Sequence, residues 1–236
     1  MNPTITIGIP CYNQAEYLAE AIESAYGQSS PPHEIIVVND GSTDNSAEIA
    51  ERYKFAKYPL IESPVRVVHQ VNKGLPSARN TIIMNATGDY ILFLDADDIL
   101  MEDAVKKISA EILKTNADII APSFKCFGNR DDTVILQGFT LENLKESNRI
   151  GYFCAVRRSA LLEIGGYSPK MKWGYEDYHL WFNLLGIRGK SVAIMQEPLV
   201  LYRVKEKSML TDAREHHGEL MEQIRADFPS IWPKAN

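Results

Sequence analysis

The chain has 236 residues, 45% of them hydrophobic, and a formal net charge of −6. That suits one sizeable α/β core, and it excludes a general nucleic-acid binder, which needs a broad excess of Lys and Arg. Its three cysteines, Cys11, Cys126 and Cys154, form no C-x-x-C pair, which excludes a disulfide framework or a zinc ribbon and fits a reducing compartment.

The predicted elements alternate along the first hundred residues. Thr4 to Pro10 is a β-branched strand, followed by a helix with Leu18, Ala21, Ile22 and Ala25 on one face; Asn13 is its expected cap, with Glu16 completing a capping box. Glu34 to Asn39 reads as a buried strand, and Asp40 to Asp44 as a turn into a helix ending near Tyr53. A strand over Val65 to Gln70, a helix over Ser77 to Ala86 and a strand over Tyr90 to Leu94 follow. In the second half, helices are expected over Asp103–Lys114, Glu176–Leu185 and Asp212–Asp227. Strands are expected over Asp118–Pro122, Val192–Met195 and Leu199–Arg203, with strands and loops between 124 and 149. This order implies an α/β fold: a mostly parallel central sheet covered by helices on both faces, a Rossmann-like three-layer arrangement. We read residues 1–236 as one domain, with about 1–100 as its regular half and about 101–236 as its less regular one. The N-terminus lacks signal-peptide patterning, and no apolar run reaches the roughly 20 residues of a membrane span. The expectation is a cytoplasmic protein, with peripheral membrane association if its acceptor is lipid-linked.

In sheets of this kind ligands collect at the carboxyl ends of the strands. Those ends carry Pro10-Cys11-Tyr12-Asn13, Asn39-Asp40-Gly41-Ser42, Asn72-Lys73-Gly74 and Asp95-Ala96-Asp97-Asp98. Three clustered carboxylates repel one another unless a cation relieves them, and Mg²⁺ or Mn²⁺ favours such oxygens; a solvated turn before the next helix is the plainer reading. Asp40 is placed to accept from a base N–H or to form a turn, and Tyr12 to stack on a base or pack on the sheet edge. Lys73 and Arg79 are either phosphate or base contacts or ordinary surface charge. Glu176-Asp177 opens a helix, as a cap or as a general base for an acceptor hydroxyl. The glycines and aromatics just upstream, through Trp173-Gly174-Tyr175, suit sugar packing or core packing. His216-His217 reads as solvated. No G-x-G-x-x-G, Walker A loop or G-x-S-x-G elbow is present.

These motifs, in this order, resemble the family 2 inverting glycosyltransferases of GT-A fold. The resemblance rests on Ile9-Pro10-Cys11-Tyr12-Asn13; Glu34 to Asp44; Asn72-Lys73-Gly74 with Ser77-Ala78-Arg79-Asn80; Gly88 to Asp98; Gly166-Tyr167; Gly174-Tyr175-Glu176-Asp177; and Tyr202-Arg203 with Ser208. It implies a nucleotide-diphospho-sugar donor, UDP-linked first, and a saccharide, lipid-linked or protein acceptor. Pro10, Tyr12 and Asp40 would hold the base, with Asn13, Lys73, Ala96 and Arg79 completing the nucleotide site. Asp95 would contact ribose or metal, and Asp97 would ligate Mn²⁺ or Mg²⁺. Asp177 would be the catalytic base, supported by Glu176. Many members carry a His two residues beyond the Tyr-Arg motif, on the metal or diphosphate; here Lys205 stands there, and its ammonium is expected at the diphosphate. Two other readings remain: a nucleotidyltransferase, whose Gly-rich phosphate loop is missing after the first strand, and a non-catalytic nucleotide-sugar-binding protein.

Overall fold

In the computed structural model, which describes residues 2–54, 65–206 and 209–232, the first half alternates as its sequence periods require. The strands are β1 (Ile5–Cys11), β2 (Glu34–Asp40), β3 (Arg66–Gln70) and β4 (Tyr90–Phe93), separated by α1 (Leu18–Tyr26), α2 (Ser46–Tyr53) and α3 (Leu75–Asn85). Every residue of β1 and β2 is buried, so both faces of the sheet are covered. Gly8 permits the close approach of α3: a Cβ there would lie 2.4 Å from Ile82 Cγ2.

The second half adds β5 (Ile99–Leu100), α4 (Ala104–Thr115), β6 (Ile119–Gly128), β7 (Thr133–Val134), α5 (Leu141–Glu146), β8 (Ala155–Arg157) and α6 (Arg158–Glu163). It continues with α7 (Glu176–Trp181), a π-helical turn over Phe182–Ile187, β9 (Val192–Val204), α8 (Met209–Glu215) and α9 (His217–Asp227). One sheet runs in the order β3-β2-β1-β4-β8-β6-β9-β5, with β7 on β6. Pairing is parallel from β3 to β4 and between β6 and β9. It is antiparallel at β4–β8, β6–β8, β6–β7 and β5–β9. The expected α/β class therefore holds, with the antiparallel pairs confined to the second half of the chain and its junctions.

Several local expectations change. Asn13 does not cap α1, whose N-cap is Tyr17 with no side-chain bond. Asn13 instead adopts a left-handed conformation, φ 52°, and its Oδ1 accepts the Thr43 N–H at 2.7 Å. The two expected strands at 192–195 and 199–203 are one, because its pairing with β6 absorbs the irregularity between Pro122 and Phe124. The terminal helix is two, divided at His216. Lys207 and Ser208 of the Tyr-Arg motif lie outside the described residues.

Candidate functional site

A cavity of about 920 Å³ opens at the carboxyl rim of β1, β2 and β4. Pro10, Tyr12, Asp40, Asp95, Ala96 and Asp97 line it from the strand ends, and Glu176, Asp177 and Lys205 from the second half. The register explains the first group. Pro10 pairs with Val38 and Gly8 with Phe93, so the residues just past these pairs emerge side by side on one edge.

At one end, Asp40 is 2% exposed. Its carboxylate accepts the backbone N–H groups of Lys73 (3.0 Å) and Gly74 (2.8 Å) and the Gln70 amide (2.6 Å). It thus shapes this wall by pinning the 70–74 segment and keeps one lone-pair site for a ligand. Gly41, at φ 70°, lets that loop approach: a Cβ would meet Asn72 N at 2.7 Å. Tyr12 is 46% exposed at the mouth, open to stack on a planar ring. Two expected nucleotide contacts do not reach the cavity. Lys73 is exposed and contributes its N–H to Asp40, while Asn13 is spent joining its loop to Ser42 and Thr43. Asn72, which no motif singled out by itself, lines the wall instead.

Arg79 requires the largest correction. It is fully buried, and its guanidinium holds Asp95 Oδ1 at 2.8 Å and the Glu176 carboxylate, with the Tyr152 ring 4.8 Å away. It positions two acids behind the wall rather than facing a nucleotide. Glu176, 5% exposed, is correspondingly committed to Arg79. Burial pushes the Asp95 carboxyl up to about 6, with Arg79 opposing and Asp97 adding to the rise. Asp98 faces inward: it accepts the Arg203 N–H at 2.6 Å and the Tyr152 hydroxyl, and burial holds it well above the usual carboxylate range.

Asp97 Oδ2 is 2.6 Å from Lys205 Nζ. Among the described residues, Asp95 Oδ2 and Asp97 Oδ1 accept no protein hydrogen bond. These hard oxygens suit Mg²⁺ or Mn²⁺, yet no group of three His, Cys, Asp or Glu gathers among the described residues. Asp95 and Asp97 would hold such an ion only as a partial, two-carboxylate set, with the remaining positions left to oxygens from outside the protein.

Asp177 comes to the same cavity from α7. The turn before it is tight: Gly174 has φ 119° and Tyr175 φ 61°. Asp177 Oδ1 accepts the Tyr178 N–H at 2.7 Å, and Oδ2 accepts the Asn148 amide at 3.0 Å. Burial, then the Glu176 charge, pushes its carboxyl up to about 7, against Arg79. A carboxylate poised there can take a proton from a hydroxyl near neutral pH. Asn148 sits in a loop with no sequence signal. His217 is exposed, as expected, yet it also lines the cavity and meets the Tyr175 hydroxyl at 2.9 Å, while His216 stacks on Trp173 with centroids 4.8 Å apart.

Fold and site together define an α/β protein whose ligand cavity sits on a carboxylate-bearing strand rim. The family model described as Glycosyl transferase family 2 matches residues 6–165. The chain is 34% identical to glycosyltransferase GlyG of Streptococcus pneumoniae over 61% of this chain and 48% of that protein. It is 41% identical to the uncharacterised glycosyltransferase EpsJ of Bacillus subtilis over 52% of this chain and 35% of that one. It thus spans half or less of the length of these relatives. The crystal structure of S. aureus TarS 1-349 in complex with UDP-GlcNAc superposes with a TM-score of 0.78 at 20% identity, covering 95% of this chain and 66% of that one. The chain belongs to glycosyl transferase family 2.

Proposed function

We propose that this chain transfers a sugar from a nucleotide-diphospho-sugar, UDP-linked first, to an acceptor hydroxyl by a single inverting displacement. The observation that carries this reading is that Asp177, a carboxylate raised to about 7, and the Asp95–Asp97 pair line one cavity. The TarS structure of the same fold is a complex with UDP-GlcNAc, which supports a UDP-sugar as the first donor to test.

The base would lie between Tyr12 and the Asp40-pinned loop, with the diphosphate toward Asp95, Asp97 and Lys205. Asp177 takes the acceptor proton as the acceptor oxygen forms its bond to the anomeric carbon. The bond from that carbon to the diphosphate breaks, and the electron pair leaves with the nucleoside diphosphate. Mn²⁺ or Mg²⁺, held by Asp97 and Asp95, would supply Lewis-acid relief of the charge on the departing diphosphate. Arg79 keeps Asp95 and Glu176 in place, and Glu176 in turn sustains the raised basicity of Asp177. The acceptor is a saccharide, lipid-linked or protein hydroxyl; among the described residues no helix is long and apolar enough to cross a membrane, so a lipid-linked acceptor would be met at the membrane surface.

A panel of UDP-, GDP- and dTDP-sugars tests this by thermal stabilisation of the protein. Stabilisation by at least one donor is expected; none across the panel, with and without Mn²⁺, would refute the nucleotide-sugar reading.

A further inference from the structure

Lys205 follows the last strand, and three side chains hold its ammonium. Nζ lies 2.6 Å from Asp97 Oδ2, 3.4 Å from Gln14 Oε1 and 5.0 Å from the centre of the Tyr17 ring. These partners come from two segments: the turn after β4, and the loop between β1 and α1 that ends at the helix cap Tyr17. The side chain is 26% exposed and lines the main cavity. It is therefore a docked side chain at the rim rather than part of a solvated loop. Asp97 is also the carboxylate proposed to hold a divalent ion, and its neighbour Asp95 already faces Arg79 at 2.8 Å. Each candidate metal ligand thus meets a protein cation before any ligand arrives.

We infer that Lys205 is a tethered cation for the donor diphosphate, able to support nucleotide binding without a divalent metal; this rests on the nucleotide-sugar reading above. An ammonium has three N–H donors. Asp97 and Gln14 take two, and the third is left for a phosphate oxygen. The ion pair also removes an obstacle: a diphosphate placed beside an unpaired Asp97 would meet like charge, which a partly desolvated site penalises strongly. A divalent ion on Asp97 Oδ2 has to displace Lys205, and one on the open Oδ1 sits against the ammonium's like charge; in either place the cation already present offsets much of what the ion would add to ground-state affinity. Without Lys205, Asp97 stands unpaired and only a metal can relieve the repulsion.

The test is calorimetric titration of UDP into the full chain, as parent, Lys205→Ala, Lys205→Gln and Lys205→Arg, each in chelator and in saturating Mn²⁺. The parent is expected to bind UDP in chelator nearly as well as in Mn²⁺. Lys205→Ala and Lys205→Gln should lose about ten- to a hundredfold in affinity in chelator, the size of one charge-assisted hydrogen bond, and recover most of it in Mn²⁺. Lys205→Arg should stay close to the parent. Parent binding that vanishes in chelator, or neutral variants that match the parent there, would overturn the role of Lys205 and leave the nucleotide reading standing. No UDP binding by the parent in either condition would overturn both.

Discussion

Asp177→Asn removes the proposed base with almost no change in shape, and two effects of opposite sign should follow. The rate of sugar transfer should fall by about two to four orders of magnitude, the usual contribution of general base catalysis, while UDP binding stays near the parent value because Asp177 faces the acceptor. Stability should move the other way. Burial raises the Asp177 carboxyl from 3.8 to about 7. A carboxyl raised on folding favours the folded state most when protonated, and that contribution is lost as pH climbs between those two values. At about 1.36 kcal/mol per pH unit the upper limit is about 4 kcal/mol above pH 7, reduced in practice as the Asn148 amide and solvent at the cavity edge relax around the charge. Asn carries no such penalty. For a chain of this length about 1 kcal/mol moves Tm by roughly 2–4 °C, so Asp177→Asn should melt several degrees above the parent at pH 8 and close to it at pH 4. Nucleoside diphosphate release and melting curves at the two pH values measure the two effects, and UDP calorimetry checks the unchanged binding. Transfer at the parent rate would remove Asp177 from the chemistry, and a melting difference independent of pH would refute its raised basicity.

Asn148→Ala removes the amide that stabilises ionised Asp177 at 3.0 Å; the acid limb of the transfer pH profile should move to higher pH, with UDP affinity unchanged. Arg79→Met leaves Asp95 and Glu176 without their buried partner; urea unfolding should show a loss of about 3–5 kcal/mol, the penalty for breaking a buried pair from one side.

The first four strands and their helices were legible because each carries its own hydrophobic period and turn chemistry. The strand-end rule then gathered Pro10, Tyr12, Asp40, Asp95 and Asp97, which do share one cavity. What escaped depends on contacts between distant segments. Arg79 reads as a nucleotide contact or a surface charge on a helix, and its burial depends on Asp95 together with Glu176, which arrives 97 residues later. Asp98 looks like a third rim carboxylate, but Tyr152 and the Arg203 backbone turn it inward. Val192–Met195 and Leu199–Arg203 read as two strands, whereas the shifted pairing at Pro122 to Phe124 carries one strand through both. Asn148 and His217 belong to a loop and a polar helix, where local pattern says nothing about which side chain will face a cavity.

The central claim is that the Asp95–Asp97 rim and Asp177 act together on one sugar donor. It is tested most directly by following nucleoside diphosphate release from a panel of nucleotide-sugars, with a mixed saccharide acceptor pool, for the parent and for Asp177→Asn. The account predicts release from at least one donor by the parent, and loss of that release in the variant while the same donor still raises its melting temperature. Release that persists in Asp177→Asn at the parent rate, or a parent that neither binds nor cleaves any donor, would contradict it.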